Sequence, residues 1–228
     1  MLATAIIPVK RFGRAKQRLL DRLDHRQRAL VVSAMLADVL ASTSAAESVE
    51  RLILVTGERR AERLALHHAQ RSTTPVEVLR EPVDHGHSEA ATLGIVRALA
   101  LGAECSALLP GDCPLLDPAE LDRALARMEP GRVAVIPDRH GTGTNGLLLA
   151  PADAIGPAFG PDSAARHRDR AERAGYTVAL EPLESLALDL DTPEDLEALT
   201  AELAERPERA PQTAEALSSL DRPAGTHR

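Results

Sequence analysis

The stretch Ser106-Ala-Leu-Leu-Pro-Gly-Asp-Cys-Pro-Leu-Leu116 decides the fold. Its apolar run, Ala107 to Leu109, stops at Pro110-Gly111, presents a carboxylate at Asp112, and passes through Cys113-Pro114 to a helix start at Asp117-Pro118-Ala119-Glu120. That order reads as a buried strand ending in an acidic turn. In an open α/β sheet, ligands gather beyond the carboxyl ends of the strands, so a carboxylate there faces a ligand. Asp112 is accordingly a candidate metal anchor. The plainer reading is a side chain that only supports the turn.

Working outward, strand and helix signals alternate. Ala3-Thr-Ala-Ile-Ile-Pro-Val9 is a continuous apolar run of the kind buried on both faces of a sheet. Helical spacing of Leu30, Val31, Ala34, Met35, Ala37 and Leu40 predicts a helix from about His25 to Ser42. Strands are expected at Arg51–Gly57 and Val76–Leu79, with a helix from Glu58 to Gln70 between them, and Ser88 could cap a further helix that runs to about Leu101. After the central strand, Asp117 with Pro118 and Glu120 matches a helix-entry signature. Strands follow at Arg132–Ile136 and Asn145–Leu149, then a helix from Ser163 to Ala174. Short strands are expected at Thr177–Leu180 and Ser185–Leu190, and Thr192-Pro193-Glu194-Asp195 opens a last helix. This alternation implies an α/β fold, a three-layer sandwich around a mostly parallel sheet. Residues 1–205 form the domain, and 206–228, rich in Pro, Ala and charge, read as a disordered C-terminal tail.

The 228 residues can bury a large core, yet they include only three aromatics, Phe12, Phe159 and Tyr176, so that core is built of Leu, Val, Ile and Ala. A net charge of −7 argues against a general nucleic-acid binder. No apolar run is read as reaching the roughly 18 residues a membrane helix needs, and Met1 leads directly into a strand without a signal-peptide pattern. The two cysteines suggest neither a disulfide framework nor a metal spacing, which predicts a reducing, cytoplasmic setting.

Three groups of residues suggest chemistry. Lys10-Arg-Phe-Gly-Arg-Ala-Lys-Gln-Arg-Leu19 holds both lysines of the chain, Lys10 and Lys16, together with Arg14, and could wrap a polyphosphate. It has neither Walker spacing nor the glycines of a dinucleotide fingerprint, which weighs against an oxidoreductase. Leu188-Asp-Leu-Asp-Thr192 puts Asp189 and Asp191 on one side of an extended segment, or lets one of them cap the last helix. With Asp112 they are oxygen ligands of the type Mg²⁺ prefers. The loop Pro137-Asp-Arg-His-Gly-Thr-Gly-Thr-Asn145 offers glycines for close backbone approach and hydroxyls at Thr142 and Thr144. Gly160 and Ser163 stand at a helix start suited to an anion. A metal shared by His85 and His87 is disfavoured for want of a third ligand, and Cys113 beside Asp112 has no feature that would make it a nucleophile.

Taken together, Ile7-Pro-Val-Lys10 with Ala15-Lys-Gln-Arg-Leu19, Gly111-Asp-Cys-Pro114, Pro137-Asp-Arg with Gly143-Thr-Asn145, Phe159-Gly with Ser163 and Arg166-His167, and Asp189-Leu-Asp-Thr192 carry a resemblance. The chain resembles the phosphoenolpyruvate or 2-phospholactate guanylyltransferases of coenzyme F420 biosynthesis over about residues 3 to 200. The resemblance implies a Rossmann-like nucleotidyltransferase sandwich akin to the molybdopterin guanylyltransferases, with GTP as donor. It implies that Lys10, Arg14, Lys16, Gly86 and Ser88 meet the nucleotide, with Lys16 and Asp112 catalytic. Thr144, Gly160 and Ser163 would hold the phosphorylated acceptor, and Asp112 with Asp189 or Asp191 would hold Mg²⁺. Where the family carries an Asn after the guanine-side glycine, this chain has Gly86-His87-Ser88. The acceptor is expected to be phosphoenolpyruvate, with 2-phospholactate, 3-phosphoglycerate or a molybdopterin-type substrate as alternatives. The product would be handed to a downstream F420 transferase. A catalytically silent nucleotide-binding partner is the reading from another class, and retention of all the acids and both lysines argues against it.

Overall fold

The structure is a computed structural model that describes residues 1–12, 19, 22–81, 83 and 86–220. Strand β1 (Ala3–Val9) leads through the basic loop to α1 (His25–Ala45), β2 (Val49–Thr56), α2 (Arg59–Ala69), β3 (Val76–Arg80) and α3 (His87–Ala100). Then come β4 (Ser106–Leu108), α4 (Pro118–Ala126), β5 (Arg132–Pro137), β6 (Thr144–Ala150), α5 (Ser163–Arg173), β7 (Thr177–Leu180), α6 (Pro193–Glu205) and α7 (Pro211–Leu220). The seven strands form one sheet in the order β3-β2-β1-β4-β6-β5-β7. All neighbours are parallel except β6, which runs antiparallel to β4 and β5. The mixed, mostly parallel sheet matches the sequence reading.

Alternate residues of the central strands feed two cores. Ala5, Ile7, Leu52 and Leu54 pack toward α1, α2 and α4, whereas Ile6, Ile53 and Val55 pack toward α3 and α5. Helix α1 is long and apolar enough by composition to cross a membrane, contrary to the sequence reading. Its most apolar window is 61% buried inside the fold, however, as befits a helix sandwiched between the sheet and other helices.

The helix entries follow local chemistry. Asp24 accepts from the Arg26 and Gln27 amides and caps α1, and Asp117 accepts from the Ala119 amide and caps α4. Glu120 does not complete a capping box: its carboxylate accepts from the Ser185 amide at 2.9 Å, tying α4 to a distant loop.

Two expectations are corrected. Residues 185–190 do not form a strand. A 3₁₀ turn (Glu184–Leu186) leads into an irregular segment whose carbonyls are met from elsewhere: Leu186 by the Asn145 amide at 2.8 Å and Ala187 by the Arg139 N–H at 3.1 Å. The tail expected from Arg206 is ordered as far as Leu220. Asp38, on α1 and 3% exposed, accepts from the Gln212 and Thr213 amides and the Thr213 hydroxyl, while Ala216 and Leu217 bury against the same core. Burial raises the Asp38 pKa, and the hydrogen bonds from Thr213 and Gln212 oppose the rise. An α1 carboxylate therefore supplies the cap that the α7 sequence lacks. Asp38→Ala would strand the two buried Thr213 donors and is expected to cost about 1–3 kcal/mol, seen as a lower unfolding midpoint with faster amide exchange in α7. An unchanged midpoint would mean that α7 docks without this carboxylate.

Candidate functional site

The carboxyl ends of β1 and β4 lie side by side, and the backbone continues their pairing past the strand, with the Leu109 amide donating to Ile6 O at 2.9 Å. The chain then turns through Gly111, where a Cβ would come within 2.9 Å of Val9 Cγ2 and 3.5 Å of Leu36 Cδ1. Only a residue without a side chain lets this turn sit so close to β1, and the turn delivers Asp112 to the rim. A cleft of about 200 Å³ opens there. Lys10, Phe12, His87, Asp112 and Asp191 line it.

Asp191 reaches the cleft because Thr192 and Asp195 take over the capping of α6. The Thr192 hydroxyl accepts from the Asp195 amide, and Asp195 Oδ2 accepts from the Asp191 and Thr192 amides at 3.0 and 2.7 Å. Arg139 pairs with the other oxygen of Asp195 at 2.5 Å. Neither acid of the Asp189/Asp191 pair caps the helix. Asp189 lies one step away, 3.5 Å from the Asn145 side-chain nitrogen, and is not among the residues lining the cleft. Cys113 Sγ lies 3.8 Å from Leu186 O, so the turn bearing Asp112 and the segment bearing both later acids are in contact. Among the described residues no group of three Asp, Glu, His or Cys side chains is placed to enclose a metal. Among the described residues, the carboxylates that line the cleft are Asp112 and Asp191.

Of the cationic loop, Lys10 lines the cleft, whereas Arg14 and Lys16, like His85, lie outside the described residues. The start of the loop is braced from β2: Thr56 Oγ1 donates to Val9 O at 2.9 Å, and Glu58 accepts from the Phe12 amide at 3.2 Å. Ser88 does not cap α3. The cap position is Gly86, with φ at +117°, and the Ser88 hydroxyl instead accepts from the Phe159 amide at 3.0 Å. The ring of His87 meets Phe159 edge to face at 4.8 Å. The Gly86–Ser88 turn is thus fastened to the loop that precedes α5.

That loop is held on its other side by α5. Arg166 donates to the carbonyls of Ala158 and Phe159, and Arg170 to those of Gly156 and Pro157. His167, 0% exposed, accepts from the Ala158 amide at Nε2, 2.8 Å away, and its Nδ1 lies 3.0 Å from Thr144 Oγ1. Burial, helped by the charges of Arg170 and Arg166, lowers its pKa to about 4, so the ring is neutral at physiological pH. Gly160 has φ at +112°, open to glycine at little cost, and Ser163 is the buried first residue of α5. The Ser163 amide donates to Gly160 O at 3.1 Å, and Thr144 is joined to the Ala158 end of this loop through His167. Gly143 serves the loop itself: a Cβ there would fall onto the Asp138 carboxylate, which accepts from the His140 and Thr142 amides.

Sequence reasoning gave no positive role to Phe12, Phe159 or His167, and set His87 aside. In a chain with only two phenylalanines, both stand at the site, and that scarcity was the available signal.

Residues 3–204 match the family model described as guanylyl transferase CofC like. A phosphoenolpyruvate guanylyltransferase from Conexibacter woesei is 41% identical over 96% of this chain and 97% of its own length. A 3-phospho-D-glycerate guanylyltransferase from Phenylobacterium zucineum is 36% identical over 96% of this chain and 97% of its own length. Among solved structures, a nucleotidyl transferase from Methanothermobacter superposes with a TM-score of 0.62 at 17% identity, covering 90% of this chain and 98% of its own, a likeness of fold. The seven-stranded sheet and these matches make the chain a nucleotidyltransferase, and it belongs to the CofC-like guanylyl transferase family.

Proposed function

We propose that the protein transfers GMP from GTP to the phosphate of phosphoenolpyruvate, giving enolpyruvyl-diphospho-5'-guanosine and pyrophosphate for coenzyme F420 biosynthesis. The observation that carries this reading is the single cleft lined by Lys10, Asp112 and Asp191, a cation and two carboxylates from three distant parts of the chain. The names of the Conexibacter relative and of a Sphaerobacter thermophilus relative, 37% identical over 87% of this chain, favour phosphoenolpyruvate as acceptor. The Phenylobacterium relative favours 3-phosphoglycerate as the second reading.

In the reaction a phosphate oxygen of the acceptor attacks the α-phosphorus of GTP. The new P–O bond forms as the bond from that phosphorus to the α–β bridging oxygen breaks, and the electron pair leaves with pyrophosphate. The attacking oxygen is anionic near neutral pH, so no side chain has to remove a proton. What the protein must supply is a way for two anions to meet. Lys10, with Arg14 and Lys16, offsets the charge gathering on pyrophosphate. Asp112 and Asp191, with Asp189 close by, are the residues that would hold Mg²⁺, a hard cation commonly bound through one or two carboxylates plus phosphate oxygens. Bound there, it would supply positive charge and Lewis acidity at the reacting phosphates.

Thr144, Gly160 and Ser163 bind the acceptor in this reading, and Gly86 and Ser88 lie on the nucleotide side. Ser163→Ala is expected to raise the acceptor KM about tenfold, as for one hydrogen bond to a charged group, with the GTP KM unchanged. An unaltered acceptor KM would remove Ser163 from the acceptor site. The cytoplasm, where Cys105 and Cys113 stay as buried thiols, is the proposed location, with the product passed to the next transferase. The test of the whole reading is pyrophosphate release across the four nucleoside triphosphates and the three phospho-acids. GTP with phosphoenolpyruvate should be fastest; no release with any pair would overturn the reading, and faster release with 3-phosphoglycerate would select the second.

A further inference from the structure

His167 makes two hydrogen bonds whose directions constrain each other. The Ala158 backbone N–H can only donate, so His167 Nε2, 2.8 Å away, must accept with its lone pair. In a neutral imidazole the proton then sits on Nδ1, and Nδ1 faces Thr144 Oγ1 at 3.0 Å. Thr144 Oγ1 therefore receives a hydrogen bond from the ring, and its own hydroxyl proton must point elsewhere. The ring cannot turn to relax this arrangement: it is fully buried, and Phe159 packs against it edge to face at 5.2 Å.

We propose that His167 is a positioning residue for Thr144: anchored by the Ala158 amide, it donates from Nδ1 to the threonine oxygen and so commits the threonine O–H as a donor to the anionic acceptor. The inference rests on the reading of Thr144 as an acceptor-binding residue. Without the ring, the hydroxyl can rotate and present a lone pair, which would repel a phosphate or carboxylate oxygen. With it, one lone pair is held toward the ring and the proton is left to face the anion. The same ring ties the hydroxyl to the Ala158–Gly160 turn, so two parts of the acceptor site are set by one side chain.

Two substitutions separate positioning from loop bracing. Asn places a donor near the Nδ1 position and abandons the Ala158 amide, whereas Gln reaches toward the Nε2 position and abandons Thr144. Positioning predicts that His167→Gln raises the acceptor KM about tenfold with the GTP KM unchanged, and that His167→Asn stays closer to the parent. The reverse order would overturn it in favour of bracing. In a Thr144→Val background, His167→Gln should add less than about twofold; a full tenfold there would show that His167 does not act through Thr144. If Thr144→Val itself leaves the acceptor KM unchanged, the acceptor-site reading fails and the positioning fails with it. If Thr144→Val raises the KM and His167→Gln does not, the positioning alone fails. Should the His167 variants not fold, nitrogen-15 spectra of the parent protein at pH 7 decide. A neutral ring protonated on Nδ1 is expected, and protonation on Nε2 overturns the proposal.

Discussion

Asp112→Asn is expected to lower kcat roughly 10²- to 10³-fold while leaving the unfolding midpoint within about 0.5 kcal/mol of the parent. The substitution keeps the shape of the side chain and removes one negative charge at the cleft where Lys10 and Asp191 also stand. Asp112 is only partly buried and follows a turn whose packing is set by Gly111 against Val9 and Leu36, so little of the fold depends on its carboxylate. An amide oxygen is a much weaker ligand for a hard cation than a carboxylate. The loss should therefore be accompanied by a higher half-saturating Mg²⁺ concentration, and raising Mg²⁺ should recover part of the rate. Asp191→Asn should share that signature. Near-normal turnover in Asp112→Asn, or a loss indifferent to Mg²⁺, would remove this residue from the metal site.

What sequence could and could not show divides along a physical line. Strands β1, β2 and β4 were legible because buried parallel strands must be apolar on both faces, and Ala3–Val9 has almost no other reading. Thr192 and Pro193 announced α6 because caps and first-turn prolines are local chemistry. The 185–190 segment was misread because alternating Leu and Asp satisfy a strand pattern, while its backbone partners, Asn145 and Arg139, lie about 40 to 50 residues away. The cap on α7 was equally invisible, since Asp38 is 174 residues from Gln212. Long-range hydrogen bonds of this kind leave no periodic trace.

The site shows the same division. Asp112 was legible from a strand that stops at Pro-Gly-Asp, and Asp191 from an acid just before a helix cap. That these two line the cleft, while Asp189 lies 3.5 Å from the Asn145 side-chain nitrogen, is a matter of tertiary placement. Ser88 was expected as a helix cap because Ser is a common one. Its partner turned out to be the Phe159 amide, which fastens the Gly86–Ser88 turn to the Phe159–Ser163 turn. The two loops are thereby joined, with His87, Phe159 and His167 meeting edge to face between them.

Gly94→Ala should be clearly destabilising, although helix propensity alone predicts the opposite. In the middle of a helix, Ala is favoured over Gly by about 1 kcal/mol. At position 94 that gain is outweighed, because the added Cβ would lie 2.3 Å from Ile6 Cγ2 and 3.2 Å from Val55 Cγ2. Both are fully buried residues of β1 and β2, in an interior packed too densely to yield. The helix must move off the sheet, and overpacking of this kind typically costs about 1–3 kcal/mol. Since α3 begins at His87, the displacement reaches the cleft, so activity should fall with stability. A double-mutant cycle with Ile6→Ala isolates the cause. Ile6→Ala opens a cavity by itself, yet in the Gly94→Ala background it should cost clearly less, because the new methyl occupies part of that space. Additive costs in the cycle, or a Gly94→Ala protein as stable as its parent, would show that α3 does not rest on β1 through this contact.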